Sequence, residues 1–224
     1  MKEQLRKNLD EVIWNIEQAR ILINEHHIVK LVAVGKYSDE KHIETLYELG
    51  QRAFGENQVQ QLEARSKNLE DLPLEWHMMG NLQSNKINKL IELRPTLFQS
   101  LDSLKLAEAL NKRLVEKNQK MSCLLQINAA NEERKSGVST EEAFDIYQQI
   151  QESCPQLRLK GVMSIGAHVE NEKEIQKSFE KTYTIYDALK KNDASICSMG
   201  MSSDYELAIK CGSNLVRIGS KIFK

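Results

Sequence analysis

The chain predicts an α/β fold of the closed (β/α)8 barrel type, a TIM barrel with an extra N-terminal helix. Three observations carry that expectation. Short apolar runs alternate with helical patterns along the whole length, which implies parallel pairing. Eight such runs can be counted, enough to close a barrel. The 224 residues contain no linker, close repeat or low-complexity tract, so a single domain over 1–224 is expected.

Residues 2–23 carry Leu5, Leu9, Val12, Ile13, Ile16, Ala19 and Ile23 at helical spacing, a first helix with one buried stripe. Strand one is the apolar run 31–35. It leads directly into Lys36, and a buried strand interior does not tolerate a cation, so Lys36 belongs at the strand's carboxyl end. Ser38 or Asp39 caps the next helix, which bears Ile43, Leu46, Tyr47 and Leu49 and ends at Gly50. Ala53-Phe54-Gly55 is strand two, ending in Glu56-Asn57, and a polar helix follows from Val59 to Leu69. Pro73 breaks that pattern.

Leu74 to Gly80 reads as strand three, and a helix through Leu90 and Leu93 stops before Pro95. Thr96 to Ser100 is strand four, with Asp102 or Ser103 capping the helix of Leu106, Leu110 and Leu114. Strand five is Met121 to Ile127. After the loop 131–137, Ser139 or Thr140 caps a helix ending near Cys154-Pro155. Leu159 to Ile165 is strand six, and a helix covers Glu172 to Lys190. Ser195 to Met199 is strand seven, Asp204 starts a short helix over Tyr205 to Lys210, and Leu215 to Gly219 is strand eight. The residues after strand eight are too few for an eighth full helix. The helix at 2–23 is expected to pack over that gap.

The charge is balanced, with 31 Lys+Arg against 32 Asp+Glu, which gives no electrostatic case for nucleic acid. Mean hydropathy is −0.50 and no long apolar run occurs, so no transmembrane helix is expected. The N-terminus leads into an acidic amphipathic stretch, not an apolar signal core. Cys123, Cys154, Cys197 and Cys211 are scattered without metal-ligand spacing, and no metal site is expected. Cys123 and Cys197 fall in apolar runs as buried small hydrophobes. The whole reads as a reduced, cytoplasmic protein.

Barrel enzymes often bind phosphate after strands seven and eight. Here those ends read Ser198-Met199-Gly200-Met201-Ser202-Ser203-Asp204 and Arg217-Ile218-Gly219-Ser220-Lys221. Both are rich in glycine and hydroxyls, which let backbone N–H groups approach an anion. Either loop alone reads equally as a turn with an N-cap, and Lys36 alone as a solvated lysine. Together they are more informative, because strands one and eight are neighbours in a closed barrel. A lysine can form an imine with an aldehyde. A ligand with an aldehyde at one end and a phosphate at the other is pyridoxal 5′-phosphate, with Arg217 lying between the two.

Seven motifs sharpen this. They are Ala33-Val34-Gly35-Lys36, Phe54-Gly55-Glu56-Asn57, Trp76 to Gly80 with Leu82 to Lys86, Lys135-Ser136-Gly137, Gly161-Val162-Met163, Ser198 to Ser202, and Val216 to Gly219. In this order, along nearly the whole chain, the sequence closely resembles the YggS/PROSC family of pyridoxal-phosphate homeostasis proteins. The resemblance implies a barrel of the alanine racemase N-terminal-domain type with pyridoxal phosphate held as an imine on Lys36. It implies phosphate contacts from Gly200, Met201 and Ser202 and from Gly219 and Ser220. It places Arg217 near the pyridine ring or the phosphate and Asn57 in the pocket wall. Met163 packs beside the ring or in the core. The chain departs from the family at Gly35, usually Ser, at Met79, at Gln99, often His, and in a short tail after Phe223.

Other residues have plainer readings. His77 lies within a strand and reads as a packed, hydrogen-bonded histidine. Lys86 and Lys135 read as surface charges or as cations at the pocket mouth. His26-His27 and His168 lack partners at ligand spacing. Trp14 and Trp76 look like core or helix-packing residues.

Racemisation needs an acid–base group on each face of the imine. Racemases resembling this barrel take a tyrosine from a second, β-rich domain, which this chain is not expected to carry. The expected function is therefore non-catalytic: binding and buffering or delivering pyridoxal phosphate, with cofactor-dependent apoenzymes as partners and a monomer as the default. The alternative is an amino-acid racemase with weak or residual activity. A barrel enzyme acting on phosphosugars without a cofactor is a third reading, with Glu56 or Asp204 as its base.

Overall fold

The computed structural model describes residues 1–130, 136–167 and 169–224. Eight parallel strands close a barrel in chain order: β1 (Lys30–Val34), β2 (Ala53–Glu56), β3 (Glu75–Met78), β4 (Leu97–Leu101), β5 (Met121–Ile127), β6 (Leu157–Ser164), β7 (Ile196–Ser198) and β8 (Leu215–Ile218). The ring closes where β8 meets β1, with Val32 opposite Arg217 and Ala33 opposite Ile218. Closure therefore brings Lys36 beside a segment that lies at the far end of the sequence.

Helices α1 (Lys2–Ile21), α2 (Glu40–Glu48), α3 (Val59–Asn68), α4 (Ile87–Leu93), α5 (Leu104–Glu116), α6 (Ala143–Ser153), α7 (Glu172–Leu189) and α8 (Tyr205–Lys210) surround it, and α9 (Ser220–Phe223) is one turn. At α2 and α5 the predicted short polar caps form, whereas Asp204 ahead of α8 makes no cap bond. Asp39 accepts from the His42 N–H at 2.9 Å, and Ser103 from the Leu106 N–H at 3.3 Å. Ser139 serves ahead of α6, accepting from the Glu142 N–H at 3.2 Å.

α1 packs over the part of the barrel next to α8 and α9. Its stripe of Leu5, Leu9, Val12, Ile16 and Ala19 packs with Ile43 and Leu46 of α2, Ile209 of α8 and Ile222 of α9. Asn8 Nδ2 also donates to the Ile222 carbonyl at 2.9 Å. The stripe is narrower than the sequence suggests. Ile13, Trp14 and Ile23 are exposed, and Trp14 is 64% exposed, because the i, i+3, i+4 series through Val12 and Ile16 leaves positions 13 and 14 outside it. Trp76 does pack, tilted against Phe54 with ring centroids 6.0 Å apart.

Cys123 and Cys197 are buried, and burial pushes both thiols up. All four cysteines are free. Among the described residues, no helix is long and apolar enough to cross a membrane.

Candidate functional site

The carboxyl ends of the strands frame a cavity of about 680 Å³. Of the residues singled out in the sequence, Lys36, Asn57, Met201, Ser202, Arg217, Gly219 and Ser220 line it, and Met163 lies in its wall. Gly200 is not among its lining residues. That glycine has φ of 94°, its carbonyl accepts from the Arg217 N–H at 3.0 Å, and an added Cβ would press on Tyr205 and Ala208. It shapes the loop behind the wall. Val34, Met79, Gly80, Asn81, Ile165, Ser203 and Lys221 complete the lining.

Lys36 sits in a 3₁₀ turn, Gly35–Tyr37, which directly follows β1. The turn is closed by Ser38, whose N–H and hydroxyl both donate to the Gly35 carbonyl, at 3.0 and 2.9 Å. Lys36 itself is exposed on the cavity wall, where an incoming carbonyl carbon can reach its amine.

Beside Lys36 in the ring, the loops after β7 and β8 are tied together. Ser202 Oγ accepts from the Gly219 N–H at 3.2 Å and the Lys221 N–H at 3.5 Å. Asp204 shapes the first loop by accepting from the Met201 N–H at 2.7 Å. Burial pushes its carboxyl above the usual carboxylate range, against the lowering effect of that bond and of Arg217. Lys221 stands at the rim with its ammonium 4.9 Å from the Tyr205 ring centre.

The floor is polar. Arg217 is 5% exposed and donates from Nη1 to Ser198 Oγ at 2.5 Å and from Nη2 to the Ser164 carbonyl at 2.8 Å. Ser198 in turn donates to Gln99 Oε1 at 2.7 Å, and Gln99 Nε2 reaches His77 Nδ1 at 2.9 Å. Since the amide nitrogen must donate, His77 Nδ1 accepts, which assigns the ring proton to Nε2. Burial pushes His77 down to about 4 and Arg217 down to about 10, so at neutral pH the histidine is uncharged and the arginine is a cation. The packed, hydrogen-bonded reading of His77 holds.

Next to the Lys36 turn, Glu56 of β2 forms a buried ion pair with Arg65 of α3, a partner that the sequence did not reveal. Burial pushes Glu56 up, and Arg65 pulls it back. A carboxylate closing a fully buried strand is the signal that could have found it, because such a group needs a cation nearby. Lys86 is not among the lining residues of the cavity, and Lys135, the loop 131–135 and His168 lie outside the described residues.

The chemistry available around the cavity is therefore an amine, a set of hydroxyls, a buried guanidinium in the floor, and methionine or aliphatic walls. Fold and site together define a parallel barrel with a lysine, hydroxyls and a buried guanidinium around one cavity. The family model described as alanine racemase, N-terminal domain, matches residues 7–224. A pyridoxal phosphate homeostasis protein of Helicobacter pylori is 54% identical over 219 residues, covering 98% of each chain. The chain belongs to this family of pyridoxal phosphate homeostasis proteins, on the alanine racemase N-terminal-domain fold.

Among solved structures, PipY of Synechococcus elongatus with pyridoxal phosphate bound is 31% identical with a TM-score of 0.79, over 93% of this chain and 100% of that one. An alanine racemase of Clostridium difficile shares the fold, with a TM-score of 0.77 at 16% identity, over 98% of this chain and 56% of that one.

Proposed function

We propose that the protein binds pyridoxal 5′-phosphate in this cavity, linked to Lys36, and serves cofactor homeostasis by holding and delivering it. The observation that carries this is the convergence of Lys36, Arg217, Ser202 and Ser220 on one cavity from opposite ends of the chain. The residues present fit the group. It supplies an electrophilic aldehyde carbon, an aromatic ring with one acceptor nitrogen, and a phosphate. Lys36 Nζ bonds to the aldehyde carbon, and both hydrogens of its neutral amine leave with the aldehyde oxygen as water. Ser202 and Ser220 offer hydroxyls to the phosphate, with Gly219 and Met201 in the same wall. Arg217 is a permanent donor facing the middle of the ligand, and Asn57, Met79 and Met163 wall the ring.

A non-catalytic role draws support from the relatives, which are named for homeostasis. The cavity wall points the same way. Its titratable side chains, among the described lining residues, are the cations Lys36, Arg217 and Lys221, a set suited to retaining an anion. One barrel domain over 1–224, acting as a monomer in the cytoplasm and passing cofactor to apoenzymes, is the arrangement we propose.

The test is direct. Purified protein mixed with pyridoxal phosphate is expected to gain a visible absorbance band that borohydride fixes onto Lys36, read by peptide mass spectrometry. Lys36→Ala is expected to lose the band and the label completely. A normal spectrum in that variant would sink the anchor assignment, and substantial turnover of alanine would favour the racemase reading.

A further inference from the structure

The turn that carries Lys36 is gripped by the side chain of Arg65. Arg65 Nη1 donates to the Gly35 carbonyl at 2.8 Å, and Arg65 Nη2 donates to the Ser38 carbonyl. These two carbonyls bracket the Gly35–Tyr37 turn. The same Nη1 also pairs with Glu56, which is fully buried. A guanidinium is flat and rigid, so its two terminal nitrogens fix the separation of the two carbonyls they grip. The grip also spans two units of the barrel. Arg65 and Glu56 belong to the β2–α3 unit that presents Asn57, whereas Gly35 and Ser38 flank Lys36. Space for it depends on Gly35, because a Cβ there would run into Arg65 Nη1 and Glu56 Oε1.

We propose that Arg65, braced by Glu56, is the positioning residue for Lys36: it sets the anchor's turn at the height and angle from which the amine meets the aldehyde carbon. This rests on the lysine-linked reading above and goes beyond it. A displacement of about 1 Å in a reacting group can slow a reaction by on the order of a hundredfold, so placement of this turn governs the rate of linkage more than the affinity for the phosphate.

Two variants test it on the full chain, each checked for native circular dichroism. Arg65→Lys keeps the charge but cannot grip both carbonyls. Gly35→Ala pushes the guanidinium off from the other side, so it carries the test should Arg65→Lys not fold. Each is expected to slow appearance of the visible band after mixing with pyridoxal phosphate by roughly tenfold or more. In a Lys36→Ala background, addition of Arg65→Lys is expected to change non-covalent pyridoxal phosphate binding, measured by calorimetry, by less than about twofold. A role in general stability would lower the melting temperature while leaving the linkage rate alone, and that result overturns the proposal. So does an equal loss of non-covalent binding. If the wild-type chain acquires no borohydride-fixed label on Lys36, the fault lies with the lysine-linked reading itself. A wild-type label formed at the same rate in both folded variants refutes the role of Arg65 alone.

Discussion

Two sets of side chains share the barrel interior, and they are built on different physics. Val32, Ala53, Leu97, Leu124, Met163 and Leu215 come from six strands and pack as an apolar cluster. His77, Gln99, Ser198 and Arg217 come from the other two strands, β3 and β7, and again from β4 and β8, and form one hydrogen-bonded chain. The first set is the ordinary filling of a parallel barrel, where burial stabilises and direction matters little. The second set gains little stability from burial, since each polar group removed from water must recover its bonds inside. What it provides is direction: the chain ends on a guanidinium in the cavity floor. Met163 alone belongs to both, in the apolar cluster and in the cavity wall; apart from it, substitutions in the two sets should have opposite signatures.

The largest effect is expected from the apolar set. Leu124 is fully buried, and Leu124→Ala removes its packing and leaves a hole among its neighbours. A loss of about 4 kcal/mol in urea unfolding is expected, with pyridoxal phosphate affinity of the surviving folded protein within about twofold. A large loss of affinity at unchanged stability would erase the distinction.

The polar chain should reveal itself through pH. Folded His77 titrates near 4, against an ordinary value of 6.5, because burial disfavours its charged form. As pH falls, the unfolded chain takes up this proton first, so stability tied to neutral His77 is whole above pH 6.5 and is lost as pH falls towards 4. The loss is on the order of 3 kcal/mol over that window. His77→Gln is expected to flatten the pH dependence of the melting temperature there. Parallel curves for the two proteins would show that His77 is not buried neutral.

The sequence made one of these sets far more legible than the other. Eight apolar runs with helices between them announce the barrel, and a lysine at the end of the first run, with glycine-hydroxyl loops after the last two, announces one site. Those signals are local: each lies within a few residues and answers to strand burial or turn chemistry. The chain from His77 to Arg217 has no such signature. Gln99 and Ser198 sit in strands whose residues are buried on both faces, so period-two alternation does not separate inward from outward. Arg65 is hidden for the opposite reason. It belongs to a polar helix, and only the folded chain shows that its guanidinium turns inward onto Glu56 and the Gly35 carbonyl. Gly200 belongs to the phosphate-loop pattern and, at φ of 94°, also lets the backbone turn behind the cavity wall.

Gln99 offers the smallest but most discriminating test of the comparison. It is fully buried, and its amide bridges His77 Nδ1 and Ser198 Oγ. Gln99→Leu keeps the volume roughly constant but removes both bonds, so the Ser198 hydroxyl is no longer oriented as an acceptor towards Arg217. Leaving these groups unpaired costs about 1–2 kcal/mol, partly recovered by the added apolar contact with the neighbouring cluster. The melting temperature should therefore move little. Pyridoxal phosphate retention should weaken by roughly threefold to tenfold, because Arg217 keeps its charge but loses one of the two bonds that aim it. The visible band should also shift, since its position reports the donor facing the ring. If Gln99→Leu instead melts many degrees lower with an unaltered band, the polar chain serves packing and the two halves of the interior do the same work.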